Sequence, residues 1–245
     1  MLSEQQFPFL AEKGHVVSLV GGGGKTTLLY AFARHCAAKG WRVLVSTTTH
    51  ILQPERCYAP DDPALQALWA AGEYAVAGTP AGNGKLSAPP MQQLQRWMRE
   101  ADAVFLEADG AKRMPCKVPA EHEPVLLPES DAVLAVAGLS ALGRPLREVC
   151  FRLETACSLL QTGPETILTP ALLAELLASG QDAWLVSRME DGKITAMGTF
   201  DEAHGLRFAE MDEKVLRPWL TSSAVYQTGE PSYCVEPISR AGRVY

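Results

Sequence analysis

The stretch Val16-Val-Ser-Leu-Val-Gly-Gly-Gly-Gly-Lys-Thr-Thr-Leu-Leu29 constrains this chain more than any other. An apolar, valine-rich run is followed by four glycines, a lysine and two threonines. Leu28, Leu29, Phe32 and Cys36 then recur at helical spacing. Strand, glycine turn, lysine, hydroxyl, helix is the order that a phosphate-binding loop needs. Glycines allow a tight turn and a close approach of backbone amides to an anion. A helix starting at Lys25 adds unpaired N–H groups and about half a positive charge at its first turn. The candidate nucleotide-binding residues are therefore Gly21, Gly22, Gly23, Gly24, Lys25, Thr26 and Thr27. Lys25 can reach β- and γ-phosphates as a catalytic point charge, and the Thr26 hydroxyl can ligate magnesium. The alternative is a strand-to-helix turn that binds nothing, but consecutive glycines add unfolded-state entropy that such a turn gains nothing by carrying.

Gly40 is placed to end this first helix, and Trp41–Ser46 reads as the next strand. A β–α–β unit closed in so few residues forces the two strands to be parallel. Thr47, Thr48, Thr49 and His50 follow at the carboxyl end of that strand, where parallel sheets meet their ligands. The threonines are candidates for a sensing loop and His50 for a catalytic group. The competing reading is that the threonines only extend the strand. Ala103–Gly110 is the second informative stretch, a buried strand that ends in Glu107 and is followed by Asp109 and Gly110. A carboxylate beside phosphates can hold magnesium through water or orient an attacking water, so Glu107 joins Thr26 as a metal candidate and Asp109 as a catalytic one. Lys112 and Lys117 come next, then His122 inside Glu-His-Glu-Pro124, and Arg144 after the strand 131–138. These four are candidate contacts for an anionic second substrate. Glu121, His122 and Glu123 are adjacent in sequence, so their side chains diverge and cannot chelate one metal by themselves.

Residues 53–90 are less regular. Asp62-Pro63 reads as an N-cap with proline at the first helical position, and Tyr74–Ala77 and Lys85–Leu86 as two small strands around the turn Pro80-Ala-Gly-Asn-Gly84. Pro89-Pro90 opens a helix whose Leu94, Trp97 and Met98 share one face. Further on, Arg152–Leu160 and the stretch after Thr169-Pro170 read as helices, and Asp182–Met197 as a hairpin about Asp191-Gly192. Lys214–Leu220 reads as a helix turn.

The chain has 245 residues, 47% of them hydrophobic, and a formal net charge of −6. That length supports one substantial core. The acidic balance argues against nucleic acid as a partner, which would favour a basic face. No apolar run approaches the ~20 residues of a membrane helix, and the basic and apolar start of a signal peptide is absent, so a cytoplasmic protein is expected. Six cysteines without a Cys-x-x-Cys pair are expected to be reduced thiols.

The loop form Gly-Gly-x-Gly-Lys-Thr-Thr resembles that of the NTPases that include the MinD, nitrogenase-iron-protein and signal-recognition families. Several of those carry a second lysine ahead of the glycines, where this chain has Val20, and an aspartate where it has Glu107. Taken together, the glycine loop, Thr-Thr-Thr-His, Glu-Ala-Asp-Gly-Ala-Lys, Lys117-x-Pro119, His-Glu-Pro and Gly-Arg-Pro-Leu over residues 15–180 resemble the YqeC family. Its members are described as accessory proteins of selenium-dependent molybdenum hydroxylases or as selenium cofactor biosynthesis proteins. The resemblance implies a nucleotide-dependent role in maturing such an enzyme, with its apo-protein or a cofactor intermediate as partner.

The expected fold is α/β, a mainly parallel sheet flanked by helices in the three-layer manner of P-loop NTPases. Residues 1–198 form the nucleotide-binding domain with an insertion at about 53–90, and 199–245 a C-terminal extension. The expected ligands are Mg2+ and ATP or GTP, since the Asn-Lys-x-Asp guanine reader is absent. The expected activity is NTP hydrolysis. A small-molecule phosphotransferase and a nucleotide-gated delivery module with little turnover stay open beside it, as does a homodimer of the kind common among such NTPases.

Overall fold

The computed structural model describes residue 4 and residues 7–120, 123–177, 183–190, 193–201, 205–209, 226–227 and 232–235, with backbone alone from 183 onward. The chain divides into two compact units. One comprises Met1–Val20, Lys25–Gly110 and Pro119–Leu134, the other Gly21–Gly24, Ala111–Val118 and Ala135–Tyr245.

In the first unit, β1 (His15–Gly21) leads through the glycines to α1 (Lys25–Ala38) and β2 (Val43–Thr47). Then come β3 (His50–Leu52), β4 (Tyr58–Ala59), α2 (Asp62–Ala70), β5 (Ala75–Ala77), β6 (Thr79–Gly82), β7 (Lys85–Ser87), α3 (Met91–Glu100) and β8 (Ala103–Glu107). The strands β1, β8, β2, β5 and β4 lie side by side in that order, all parallel. Parallel strands buried on both faces read as continuous apolar runs, and β2 and β8 are buried at every position.

Side-chain alternation sets up three layers. Phe105 points to α1, where its ring meets Phe32 at 5.6 Å and Phe9 at 6.3 Å. Phe7 and Phe9, from the segment before β1, close this side against Phe32. Val104 and Leu106 point the other way, into a core with Leu44, Leu65, Trp69, Leu94 and Trp97 from β2, α2 and α3.

Two local expectations shift. Asp61, not Asp62, caps α2: its carboxylate accepts the Ala64 N–H at 3.0 Å, and Pro63 sits one turn position later. Tyr74–Ala77 does not pair with Lys85–Leu86. Ala75–Ala77 joins the main sheet beside β2, and β7 instead forms a small antiparallel sheet with β3 and β6. Ala-Val-Ala buried at every position gains more from a parallel neighbour than from an exposed hairpin.

The second unit contains β9 (Cys116–Lys117), β10 (Ala132–Gly138, from Ala135), α4 (Leu146–Val149), β11 (Cys150–Phe151), α5 (Leu153–Leu160) and α6 (Pro170–Leu177). They are followed by β12 (Ala183–Glu190), β13 (Lys193–Asp201), β14 (Gly205–Ala209), β15 (Tyr226–Gln227) and β16 (Ser232–Val235). β10 and β12 are parallel, β12 and β13 form the expected hairpin, and β13, β14, β16 and β15 continue antiparallel. β9 and β11 form a separate parallel pair. Lys214–Leu220 lies outside the described residues. Among the described residues no helix is long and apolar enough to cross a membrane.

Candidate functional site

The first turn of α1 meets the carboxyl end of β8. Residues 103, 105 and 107 share the face toward α1, so the alternation that packs Phe105 under Phe32 also delivers Glu107 to the helix start. The Thr26 hydroxyl donates to Glu107 Oε2 at 2.7 Å. Lys25 Nζ lies 2.9 Å from Asp109 Oδ1 and 3.9 Å from Glu107 Oε1. All three charged groups are buried, Lys25 at 5% exposure, Asp109 at 1% and Glu107 at 8%. Burial pushes the Glu107 carboxyl above the usual carboxylate range, while the Lys25 cation and the Thr26 hydroxyl pull it back.

Thr47 closes the same corner. Its hydroxyl donates to the Glu107 carbonyl at 2.7 Å, and the Thr48 N–H donates to that carbonyl at 3.1 Å. The Thr47 hydroxyl also accepts the Thr49 N–H at 3.0 Å, and the Thr48 hydroxyl donates to the Val125 carbonyl at 2.6 Å. Thr49 Oγ1 is buried and makes no hydrogen bond among the described residues. His50 is exposed on β3, opposite Ser87.

Two groups near Glu107 escaped the sequence reading. Lys85 on β7 lies within electrostatic reach of the Glu107 carboxylate and helps to hold its proton affinity down. Tyr30, one helical turn beyond Thr26, donates to the Leu52 carbonyl at 3.4 Å, and Leu52 is the register partner of Lys85. The usable signal was the Asn83-Gly84 turn, which folds β7 back onto β6 and leaves its other edge to pair with β3.

The glycines of the loop are described within the second unit. Gly21, Gly23 and Gly24 have φ of 95°, 70° and 109°. A Cβ on Gly21 would sit 2.3 Å from the Val136 carbonyl oxygen, on Gly22 2.6 Å from that of Met114, and on Gly23 2.2 Å from the Gly138 nitrogen. The Gly22 N–H donates to Val136 O at 2.7 Å and the Gly23 N–H to Met114 O at 3.1 Å. These two amides therefore serve the protein, and Gly21 to Gly23 are glycines because backbone packs against them on both sides.

Of the candidates for a second substrate, Lys112 is exposed at a φ of 47° with its ammonium 5.0 Å from the Phe151 ring centre. Lys117 is buried in β9. Arg144 is exposed and pairs with Glu148 at 3.2 Å. His122 lies outside the described residues.

The donor set at the helix start is hard oxygen: a threonine hydroxyl and a carboxylate already in contact, with a second carboxylate alongside. Such a set suits Mg2+, which binds one or two protein oxygens and completes its shell with phosphates and water. Among the described residues no three His, Cys, Asp or Glu side chains converge on one metal-binding point.

The family model described as "YqeC protein" matches residues 17–154, a span holding the glycine loop, the threonine loop and both carboxylates. A curated relative, the "Uncharacterized protein YqeC" of Escherichia coli (strain K12), is 36% identical over 136 residues, which is 52% of this chain and 53% of the relative. The chain thus matches about half the length of that relative. No solved structure matches.

Proposed function

The chain belongs to the YqeC family, and we propose that it binds a nucleoside triphosphate with magnesium at the start of α1 and hydrolyses it slowly. The observation that carries this reading is Lys25, a lysine buried at the first turn of a helix and held between two carboxylates, with the neighbouring Thr26 hydroxyl on one of them. A cation so enclosed is poised to exchange its contact with Asp109 for a phosphate oxygen. The buried, unbonded Thr49 hydroxyl supplies a further polar atom for a ligand.

In this reading, the N–H groups of Lys25, Thr26 and Thr27 face the phosphates, while Gly22 and Gly23 spend theirs within the protein. Thr26 and Glu107 would hold the magnesium, the Thr26 hydroxyl through its oxygen and Glu107 through its carboxylate. Asp109, released by Lys25, accepts a hydrogen bond from the attacking water and aligns it. When bound there, magnesium would supply charge neutralisation at the phosphate oxygens. The protein's part is mostly positioning and charge stabilisation. The YqeC resemblance extends the proposal to an accessory role in maturing a selenium-dependent molybdenum hydroxylase or its cofactor.

The test is calorimetric titration of the protein with ATP and with GTP, with and without magnesium, repeated with Lys25→Ala after its fold is checked by circular dichroism. A charge-assisted hydrogen bond contributes about 1.5–3 kcal/mol, so folded Lys25→Ala should bind roughly ten- to a hundredfold more weakly. Phosphate release without any acceptor supports hydrolysis, and release only with an acceptor favours a phosphotransferase. No binding of either nucleotide to the wild-type protein refutes the proposal.

A further inference from the structure

β9 and β11 put Cys116 and Cys150 in direct register across a parallel strand pair. Neighbouring strands lie about 4.7–4.9 Å apart, inside the ~4.4–6.8 Å Cα separation that a disulfide accepts, and register partners project from the same face. Both thiols are buried, at 0% and 3% exposure, and the Cys150 thiol donates to the Phe151 carbonyl at 3.6 Å. Two cysteines packed only as small apolar groups have no need to be paired in register.

The strand that carries Cys116 is also the backing of the glycine loop. Met114 O accepts the Gly23 N–H, Pro115 O accepts the Gly138 N–H at 2.6 Å, and the Cys116 nitrogen would lie 3.1 Å from a Cβ on Gly22. We propose that Cys116 and Cys150 are a dithiol that closes to a disulfide under two-electron oxidants such as peroxides, and that closure loosens the glycine loop. The two sulfurs must draw together to about 2.0 Å to bond, and the 114–116 segment has no slack toward the glycines. Moving away instead stretches the Gly23 bond to Met114.

The neighbouring Cys116 thiol pulls the Cys150 thiol below its ordinary range, while Cys150 and burial push Cys116 up. Cys150, the less enclosed of the two at 3% exposure against 0%, is the attacking sulfur. Its thiolate attacks one peroxide oxygen, the O–O bond breaks, and the departing hydroxide takes the thiol's proton to become water. The Cys116 sulfur then attacks the sulfenic sulfur, the S–O bond breaks, and the leaving hydroxide takes the Cys116 proton as the second water. Two electrons pass from the thiols to the peroxide.

The experiment treats the full-length folded protein with hydrogen peroxide, quenches in acid, alkylates in denaturant and maps cysteines by mass spectrometry. Amide exchange of Gly21–Gly24 is read in parallel on wild type and Cys150→Ala. The expected result is a Cys116–Cys150 linked peptide and at least tenfold faster exchange of the loop, both absent in Cys150→Ala. ATP affinity should also fall about five- to tenfold on oxidation; that last readout rests on the phosphate-site proposal, whose failure would appear as no binding by the reduced protein. Both thiols remaining alkylatable while other cysteines oxidise overturns the dithiol. A mapped disulfide with unchanged loop exchange overturns the coupling.

Discussion

Replacing Lys25 by methionine tests the electrostatic account of the site without any ligand. At an effective dielectric constant of ~20, a unit charge 2.9 Å from Asp109 and 3.9 Å from Glu107 gains about 6 and 4 kcal/mol before desolvation. Desolvation of the three buried groups offsets most of that. Removing one partner of a buried ionic cluster costs about 3–5 kcal/mol, because the carboxylates remain buried without their cation. The cost must depend on pH, and its sign follows from Glu107. Burial holds the folded-state pKa of Glu107 above its unfolded value of about 4.3. A carboxyl shifted upward contributes stability that is fully present below the unfolded value and is lost as pH rises through the folded one. Lys25 is the strongest influence pulling Glu107 down, so Lys25→Met raises it further. The variant's deficit should be smaller at low pH, where Glu107 is protonated, and grow to about 3–5 kcal/mol as pH rises above its folded-state pKa. Urea unfolding of both proteins across this range measures it, with unchanged m-values as the check that only stability moved. Asp109→Asn added to Lys25→Met should recover part of the loss. A deficit that is the same at both ends of the pH range, or below about 1 kcal/mol at the upper end, would refute the reasoning.

Gly22→Ala should cost about 1–3 kcal/mol in thermal or urea unfolding, since its Cβ would sit 2.6 Å from Met114 O, whereas Gly110→Ala, which opens into free space, should cost little. Thr26→Ser should keep the magnesium dependence of ATP binding and Thr26→Ala should lose about tenfold of it, as read by calorimetry with and without the metal. Because Glu107 holds its proton more tightly than an ordinary carboxyl, binding of Mg–ATP below the raised pKa should release protons. Titrations in buffers of different ionisation enthalpy would then give different apparent heats, and identical heats would count against Glu107 as a metal-side group.

The first β–α–β unit was legible because every step carries a strong local signal: valines, then glycines, then a helical repeat that ends at Gly40. Glu107 at the end of β8 was legible for the same reason. What could not be read was the division of labour around Lys25. The sequence offers two acids two residues apart, and only the register of β8 against β1 and β2 decides that Thr26 takes Glu107 while Lys25 sits nearer Asp109. Lys85 was missed because it reaches Glu107 through a small sheet whose strands lie 35 residues apart, from His50 on β3 to Lys85 itself on β7. Ala75–Ala77 was misplaced because three small apolar residues have no local preference between a hairpin and a parallel neighbour.

The four glycines hold the strongest signal in the sequence, and they also show where local reading stops. A glycine run after a strand says that backbone must come close to something, without saying to what. For Gly21, Gly22 and Gly23 that neighbour is the chain itself, at Val136, Met114 and Gly138, and two of their amides are consumed there. Gly24, at a φ of 109°, is the residue that turns the chain into α1. In the proposed binding mode the phosphates fall to the first helical turn, where the amides have no intrahelical acceptors. The preceding glycines act at one remove, by letting the backbone segments at 114–116 and 136–138 fix the loop's course. A substitution at Gly22 and a displacement of Cys116 should consequently disturb the loop in the same way, since both act on the same backbone contact.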